Sequence, residues 1–212
     1  TGELIATQSM MNPQVVYGED VMSRIAYTVT HQDGLEKVHQ SIIDALNQLI
    51  GAVVHRSGLS SEDVLELTIV GNTSMHHLFL MIDPQYLAVS PFTPVVHRSM
   101  DVKARDLGLK VHPSANVHIL PVEAGFVGAD NVGVLIAEEP YRQDEMVLII
   151  DIGTNGELVI GNRKSLLSSS CATGPALEGA HIKFGRRAAP GAIERVRIDP
   201  DTLEVNFKVI GE

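Results

Sequence analysis

An apolar run that ends in an aspartate, at residues 146–161 (MVLIIDIGTNGELVIG), constrains the fold of this chain more than any other feature. The apolar residues before Asp151 predict a strand, the glycines around a Thr-Asn pair predict a tight turn, and the residues after Glu157 predict a returning strand. Such a turn presents backbone N–H groups and a hydroxyl to a phosphate, while the aspartate can orient Mg²⁺ or a water molecule. The motif therefore indicates an α/β protein that hydrolyses a nucleotide.

The composition supports a packed α/β core and narrows the classes of partner. The chain has 212 residues, 44% of them hydrophobic, and a formal charge of −10. Its nearest basic cluster (Lys183, Arg186 and Arg187) is too short to follow a phosphate backbone, which argues against nucleic acid. No signal peptide is visible, and no apolar run approaches the roughly 18 residues of a membrane span. We expect a cytoplasmic protein with no membrane and no nucleic-acid partner.

The hydrophobic pattern predicts most of the regular elements. Apolar residues recur along one face from Asp33, a plausible N-cap, to Gly58, a plausible C-terminal stop, and predict one long helix. Ser60 and Asp63 predict a capping box, residues 67–70 a buried strand, and residues 75–80 a helix. Residues 1–7 predict a hairpin turn that leads into a strand, and the proline-rich residues 84–122 predict an irregular insertion with short strands. The alternating residues 195–198 and 203–209 predict a terminal hairpin.

A second predicted helix, residues 123–137, carries small residues at every fourth position. These residues are Gly125, Ala129, Gly133 and Ala137. The stripe has two interpretations, an ordinary tightly packed core helix or a crossing helix between two lobes that slide or hinge.

Three further groups of residues leave alternatives open. Asn72 and Thr73 follow a predicted strand, either as an N-cap run or as anion contacts in a cleft. Adjacent histidines such as His76 and His77 point about 100° apart on a helix, so packing or a polar partner is favoured over a shared metal. Cys171, the single cysteine, is interpreted as a buried small thiol, with a redox role as the alternative.

Several of these segments together resemble a known family. Residues 123–129 (EAGFVGA) and 147–157 (VLIIDIGTNGE) resemble the linker helix and second phosphate loop of the actin, sugar-kinase and seventy-kilodalton chaperone superfamily. Nearly the whole chain resembles the ATP-dependent reductive activators of corrinoid proteins, through residues 12–21 (NPQVVYGEDV), 70–77 (VGNTSMHH), 90–94 (SPFTP), 171–179 (CATGPALEG) and 186–194 (RRAAPGAIE).

The resemblance implies a fold, an activity and partners. The fold is α/β, with ribonuclease-H-like actin-type ATPase lobes built on mixed sheets. The implied activity couples ATP hydrolysis to reduction of cob(II)alamin to cob(I)alamin in the corrinoid protein of a methyltransferase system. The implied cofactors are ATP, Mg²⁺ and a [2Fe-2S] cluster in an N-terminal ferredoxin-like domain. A homodimer is left open.

The chain departs from the whole-family pattern, which leads us to expect a middle fragment truncated at both ends. It carries no cysteine ligand set for the cluster, no first phosphate loop, and no adenosine loop after residue 191. We expect an incomplete first lobe at residues 1–138, with its linker helix at 123–138, and the start of a second lobe at 139–212. No cofactor is expected to bind this fragment alone.

The resemblance also assigns roles to residues. Asp151 would orient Mg²⁺ or the attacking water, and Glu123 is the second catalytic candidate. The predicted phosphate- and nucleotide-binding residues are Gly153, Thr154, Asn155, Gly156, Glu157, Asn72, Thr73 and Gly174. Glu178 could bind solvent, metal or a partner, and Arg186 and Arg187 are either surface charges or contacts to the corrinoid partner.

Two other functions remain open. One is a nucleotide-gated interaction or scaffold module without redox chemistry, and the other is a small-molecule kinase of the same superfamily.

Overall fold

The chain alternates helices and strands, as a computed structural model of residues 2–153, 155–174, 183–186 and 188–211 shows. The helices within these residues are α1 (Val21–Thr30), α2 (Gly34–Ser57), α3 (Thr73–Phe79) and α4 (Ala129–Glu138). The strands are β1 (Glu66–Ile69), β2 (Met100–Lys103), β3 (Asn116–Ile119), β4 (Val147–Ile152), β5 (Asn155–Asn162), β6 (Ser165–Ala172), β7 (Ile193–Ile198) and β8 (Val205–Val209). Short 3₁₀ turns span Pro13–Val16, Ser61–Asp63, Gln85–Ala88, Ala104–Leu107 and Pro140–Arg142.

The chain divides into two units. The first holds Thr1–Val147 with Gly161–Leu167, and the second holds Leu148–Ile160 with Ser168–Glu212. None of the helices in the described ranges is both long enough and apolar enough to cross a membrane.

The first unit is built on a mixed three-stranded sheet in the order β1-β3-β2. β1 runs parallel to β3, with Leu67 opposite Val117, and β2 runs antiparallel to β3, with Val102 opposite the same valine. Residues 84–122 are therefore not an insertion, because they supply two of the three strands. The predicted strand at 67–70 exists, but it is half-buried rather than buried, with alternate side chains exposed.

The long helix packs against this sheet and forms the core. α2 begins after Asp33 and ends at Gly58, whose φ of 70° is the left-handed conformation that glycine adopts most readily, as predicted. Asp33 makes no side-chain cap and instead forms an ion pair with Lys37 (2.7 Å). The predicted capping box of Ser60 and Asp63 is present. The core cluster comprises Ile43, Phe79, Ala104, Leu109, Val111, Ala115, Val117 and Ile119.

Two further predictions about the first unit are wrong. Residues 2–12 contain no helix or strand, because their side chains are mostly exposed and no described strand pairs with them. The helix predicted from residue 123 begins only at Ala129, since the N–H groups of Glu123 and Ala124 both donate to the Val127 carbonyl and form a turn instead. Gly125 therefore lies outside the helix that carries Ala129 and Gly133.

The second unit consists of β-structure in the described residues. β5 lies between β4 and β6, and β7 pairs with β8 in the predicted terminal hairpin, with Val196 opposite Phe207. A short turn joins β5, which ends at Asn162, to β6, which starts at Ser165.

Candidate functional site

The predicted phosphate turn joins β4 to β5. Asp151 is the penultimate residue of β4 and is half-buried on the side of the strand that also carries Val147 and Ile149. Among the described residues, no hydrogen bond or ion pair engages its carboxylate. A carboxylate at a strand end with both oxygens available is suited to hold a cation or orient a water molecule.

Residues at the end of β6 and just after it pack against the glycines of this turn. The Thr173 hydroxyl donates to the Gly153 carbonyl (Oγ1···O 2.5 Å), and the Cys171 thiol donates to the Gly156 carbonyl (Sγ···O 3.4 Å). A Cβ atom on Gly156 would lie 3.0 Å from Cγ2 of Thr173. Close packing against Thr173, just after the end of β6, therefore favours glycine at position 156 independently of any ligand.

The remaining predicted residues of the second unit have separate surroundings. Glu157 accepts a hydrogen bond from the Ser170 hydroxyl (3.2 Å). Gly174 has a φ of 78° and open space around it, so backbone conformation explains this glycine. Cys171 is exposed, which corrects its interpretation as a buried thiol. Arg186 donates to the Gly191 carbonyl (3.2 Å), whereas Thr154, Glu178 and Arg187 lie outside the described residues.

The other predicted residues meet in the first unit, where the start of α3 contacts the segment before α4. The Asn72 side chain caps α3 by accepting from the Met75 N–H (2.9 Å), which is the structural alternative for this residue. The buried Thr73 hydroxyl donates to the Ala124 carbonyl (2.6 Å). Both groups are therefore engaged within the protein, and a ligand contact from Thr73 would require this bond to be exchanged.

Glu123 lies at the exposed end of the same junction. Its carboxylate accepts a hydrogen bond from the Asn131 side chain (2.8 Å), and Asn131 is 2% exposed. No local pattern indicates this pair, because eight positions and a turn separate its members.

Two glycines allow these segments to approach. A Cβ atom on Gly128 would lie 2.5 Å from Cα of Asn72, and a Cβ atom on Gly125 would collide with the Phe92 carbonyl oxygen. Both neighbours are backbone atoms, which cannot rotate away as a side chain can. Glycine at position 128 therefore allows the segment before α4 to approach the backbone of Asn72, and glycine at position 125 allows it to approach Phe92.

His77 ties the start of α3 to the loop that follows the cis bond between Ser90 and Pro91. The Val95 N–H donates to Nε2 of His77 (3.0 Å), so the ring proton is on Nδ1 and is donated to the Thr73 carbonyl (2.8 Å). Burial lowers the pKa of His77 and favours this neutral form. His77 thus has the polar partners that the sequence favoured over a metal.

Comparison with known proteins decides the family. Residues 1–143 match the family model described as the RACo middle region, and residues 145–212 match the C-terminal domain of RACo, the ASKHA domain. The chain belongs to the RACo family. The second match confirms the actin-type ATPase fold class that the resemblance implied.

Named relatives of the RACo family extend the match over the whole chain. The chain is 36% identical over all of its 212 residues to the corrinoid activation enzyme RamQ of Eubacterium limosum, covering 35% of that protein. It is 25% identical over 185 residues to the [Co(II) methylated amine-specific corrinoid protein] reductase of Methanosarcina barkeri, covering 33% of it. A solved reductive activator for corrinoid, iron-sulfur protein superposes on 99% of the chain with a TM-score of 0.89 and 38% identity, and the chain covers 33% of it. The chain thus spans about a third of the length of the relatives it matches.

The side chains that could act as metal ligands determine which cofactors this RACo-family chain can hold. The described residues contain no group of three or more His, Cys, Asp or Glu side chains that could hold a metal ion alone. Mg²⁺ bound with a nucleotide needs only one or two protein carboxylates, since phosphates and waters supply the other ligands, and Asp151 fits that role. A [2Fe-2S] cluster needs four ligands, and the single Cys171 does not fit it.

Proposed function

We propose that this chain forms part of the ATPase core of a longer protein that couples ATP hydrolysis to the reductive activation of a corrinoid protein. The observation that carries the proposal is the β4–β5 turn, where a half-buried carboxylate without a described partner precedes a closely packed glycine turn. This turn lies in the segment that matches the ASKHA domain, and the named relatives activate or reduce corrinoid proteins.

In this proposal Asp151 orients Mg²⁺ or the attacking water, and the backbone N–H groups of residues 153–156 hold the phosphates. Glu157, on β5, and Gly174, just after β6, are proposed as further phosphate- or nucleotide-binding residues. Asn72 and Thr73, proposed as nucleotide-binding residues, and Glu123, the second proposed catalytic residue, belong to the first unit.

ATP would drive the reaction by favouring one conformation of the protein over another. A conformation that binds the corrinoid protein and changes the surroundings of its cobalt ion would make the one-electron reduction of Co(II) to Co(I) more favourable. The electron donor is proposed to be a [2Fe-2S] cluster in a part of the longer protein outside this chain. The partner would be the corrinoid protein of a methyltransferase system, in the cytoplasm, and we also propose that the protein is a homodimer.

ATP turnover by the longer protein tests the role of the turn. Asp151→Asn removes the charge with little change of volume and should lower ATP turnover about 100-fold or more, in line with the loss of one group that stabilises the transition state. The matched control is Asp201→Asn, an exposed aspartate between β7 and β8, which should leave turnover unchanged. Circular dichroism of both variants establishes that they are folded, and normal turnover by folded Asp151→Asn would remove Asp151 from this role.

A further inference from the structure

Asn131, in the first turn of α4, is almost completely buried, with 2% of its surface exposed. Its side-chain amide donates a hydrogen bond to Oε1 of Glu123 over 2.8 Å. Burial alone favours an apolar side chain, because a buried amide is costly unless it is hydrogen-bonded. The bond to Glu123 therefore gives a reason for an amide at this position.

The start of α4 is itself held in place, so the amide of Asn131 has a defined position. The Asp130 N–H donates to the carbonyl of Gly71, just after β1 (3.2 Å), and the Asn131 N–H donates to Oδ1 of Asp130 (2.9 Å). Gly128 lies directly against the backbone of Asn72. A donor on such a rigid element fixes its acceptor more precisely than a donor on a loop does.

The backbone of Glu123 is held by separate hydrogen bonds. The N–H groups of Glu123 and Ala124 both donate to the Val127 carbonyl (3.0 Å each), and the Ala124 carbonyl accepts from the buried Thr73 hydroxyl (2.6 Å). With the backbone held, the side-chain torsions of Glu123 are the freedom that remains. Glutamate has many rotamers to lose, and Asn131 restricts them by holding one carboxylate oxygen.

The orientation of a carboxylate matters when it takes part in a reaction. A group that orients a water molecule or transfers a proton must present its reacting atom at a fixed place. An ionised carboxylate accepts a hydrogen bond more strongly than a neutral group does, so one amide donor is an effective restraint. Since the carboxylate is planar, a fixed Oε1 also restricts where the second oxygen of Glu123 can lie.

We propose that Asn131 is a positioning residue for ATP hydrolysis, which holds the carboxylate of Glu123 in its reactive orientation and does not itself contact the nucleotide. The inference rests on the proposed function, in which Glu123 is the second catalytic residue. Asn131 then acts only through Glu123, so its amide is needed when the carboxylate is present and not when the carboxylate is absent.

Steady-state ATP turnover by the longer protein tests this in a double-mutant cycle of Asn131→Leu and Glu123→Gln. Asn131→Leu removes the donor at similar volume and should lower kcat about tenfold with little change in KM, because the carboxylate remains but is no longer oriented. Glu123→Gln alone should lower kcat about 100-fold. In that background Asn131→Leu should cost less than about twofold more, since the two effects are coupled.

Asn47→Leu, in the same unit, is the matched control. The Asn47 side chain donates to the Gly108 carbonyl (3.0 Å) and accepts from the Lys110 N–H (2.7 Å), so the substitution removes structural hydrogen bonds. It should lower the melting temperature and leave kcat unchanged. If circular dichroism shows that Asn131→Leu does not fold, Asn131→Asp serves instead, because it has nearly the same shape, lacks the donor and should give the same tenfold loss.

The outcomes separate the inference from the proposed function. An unchanged kcat in Asn131→Leu, or equal losses with and without the Glu123 carboxylate, would overturn the inference alone, since the amide would then only support the fold. Normal turnover by Glu123→Gln would overturn the inference together with the catalytic role of Glu123. Absence of ATP turnover by the unaltered longer protein would contradict the proposed function itself, and the inference with it.

Discussion

In the first unit Ile43, Val117 and Ile119 are at most 1% exposed, whereas in the second unit Leu148, Ile150 and Ile152 of β4 are each more than half exposed. Both sets are β-branched or long aliphatic side chains in regular elements, so the sequence pattern alone does not distinguish them. The difference is that α2 covers the first sheet, while no described helix belongs to the second unit. We infer that the first unit carries most of the stability of this chain, and that the second presents apolar strand faces for further polypeptide to cover.

The largest expected difference between the two units is in the free energy of unfolding lost when an isoleucine on a strand of each is truncated. Ile119→Ala should lower the free energy of unfolding by about 2–5 kcal/mol, because it leaves a cavity in a closed core. Ile150→Ala, at a side chain that is 54% exposed, should cost less than about 1 kcal/mol. Urea unfolding measures both, and equal losses would contradict the inferred distribution of stability.

Between pH 4 and 6.5 the pH dependence of stability should arise mainly in the first unit, which contains every histidine of the described residues, including the buried His76. The pKa of His76 is about 4 when folded and 6.5 ordinarily, so the unfolded chain binds more protons between these values. Stability is therefore fully present above pH 6.5 and falls as the pH is lowered to 4, by roughly 3 kcal/mol from this residue.

Thermal unfolding followed across this pH range checks the direction, with His76→Leu as the comparison. The variant should lose a clear part of the acid sensitivity. A variant that is as acid-sensitive as the unaltered chain would show that His76 is not the group responsible.

The smallest effect concerns two tightly packed glycines, one in each unit. Gly128→Ala places a methyl group against the backbone of Asn72 and should cost about 1–3 kcal/mol. Gly156→Ala meets mainly the Thr173 side chain, which can rotate, and should cost less than about 1 kcal/mol. Denaturant unfolding of the two variants decides between them, and a reversed order would mean that the β4–β5 turn is more rigid than the junction at Asn72.

Local signals were sufficient for some elements and insufficient for others. The apolar periodicity and Gly58 predicted α2, and strict alternation predicted β7 and β8, since both patterns reflect interactions between near neighbours. The parallel pairing of β1 with β3 was missed because the two four-residue strands lie about 50 residues apart in a proline-rich region. The predicted start of α4 is too early because Gly125 fits the four-residue spacing of the small residues, although its close contact with the Phe92 backbone lies before the helix.

The predictions about the candidate site also divide into features with a local sequence signal and features that depend on tertiary packing. The turn after Asp151 was predicted from its own residues, and its strands are where they were expected. The bond between Glu123 and Asn131, the exposure of Cys171 and the burial of His76 depend on tertiary packing, for which a single sequence has no local signal. The nucleotide-binding roles of the predicted residues stay predictions.

The most direct test of the central claim is the ATP-dependent formation of cob(I)alamin in the corrinoid partner, followed by its absorption spectrum under reducing conditions. The longer protein that contains this chain should form cob(I)alamin only when MgATP is present, and Asp151→Asn should lower the rate about 100-fold or more. Asp201→Asn should match the unaltered protein. Equal rates with and without ATP, or with and without the Asp151 carboxylate, would contradict the account.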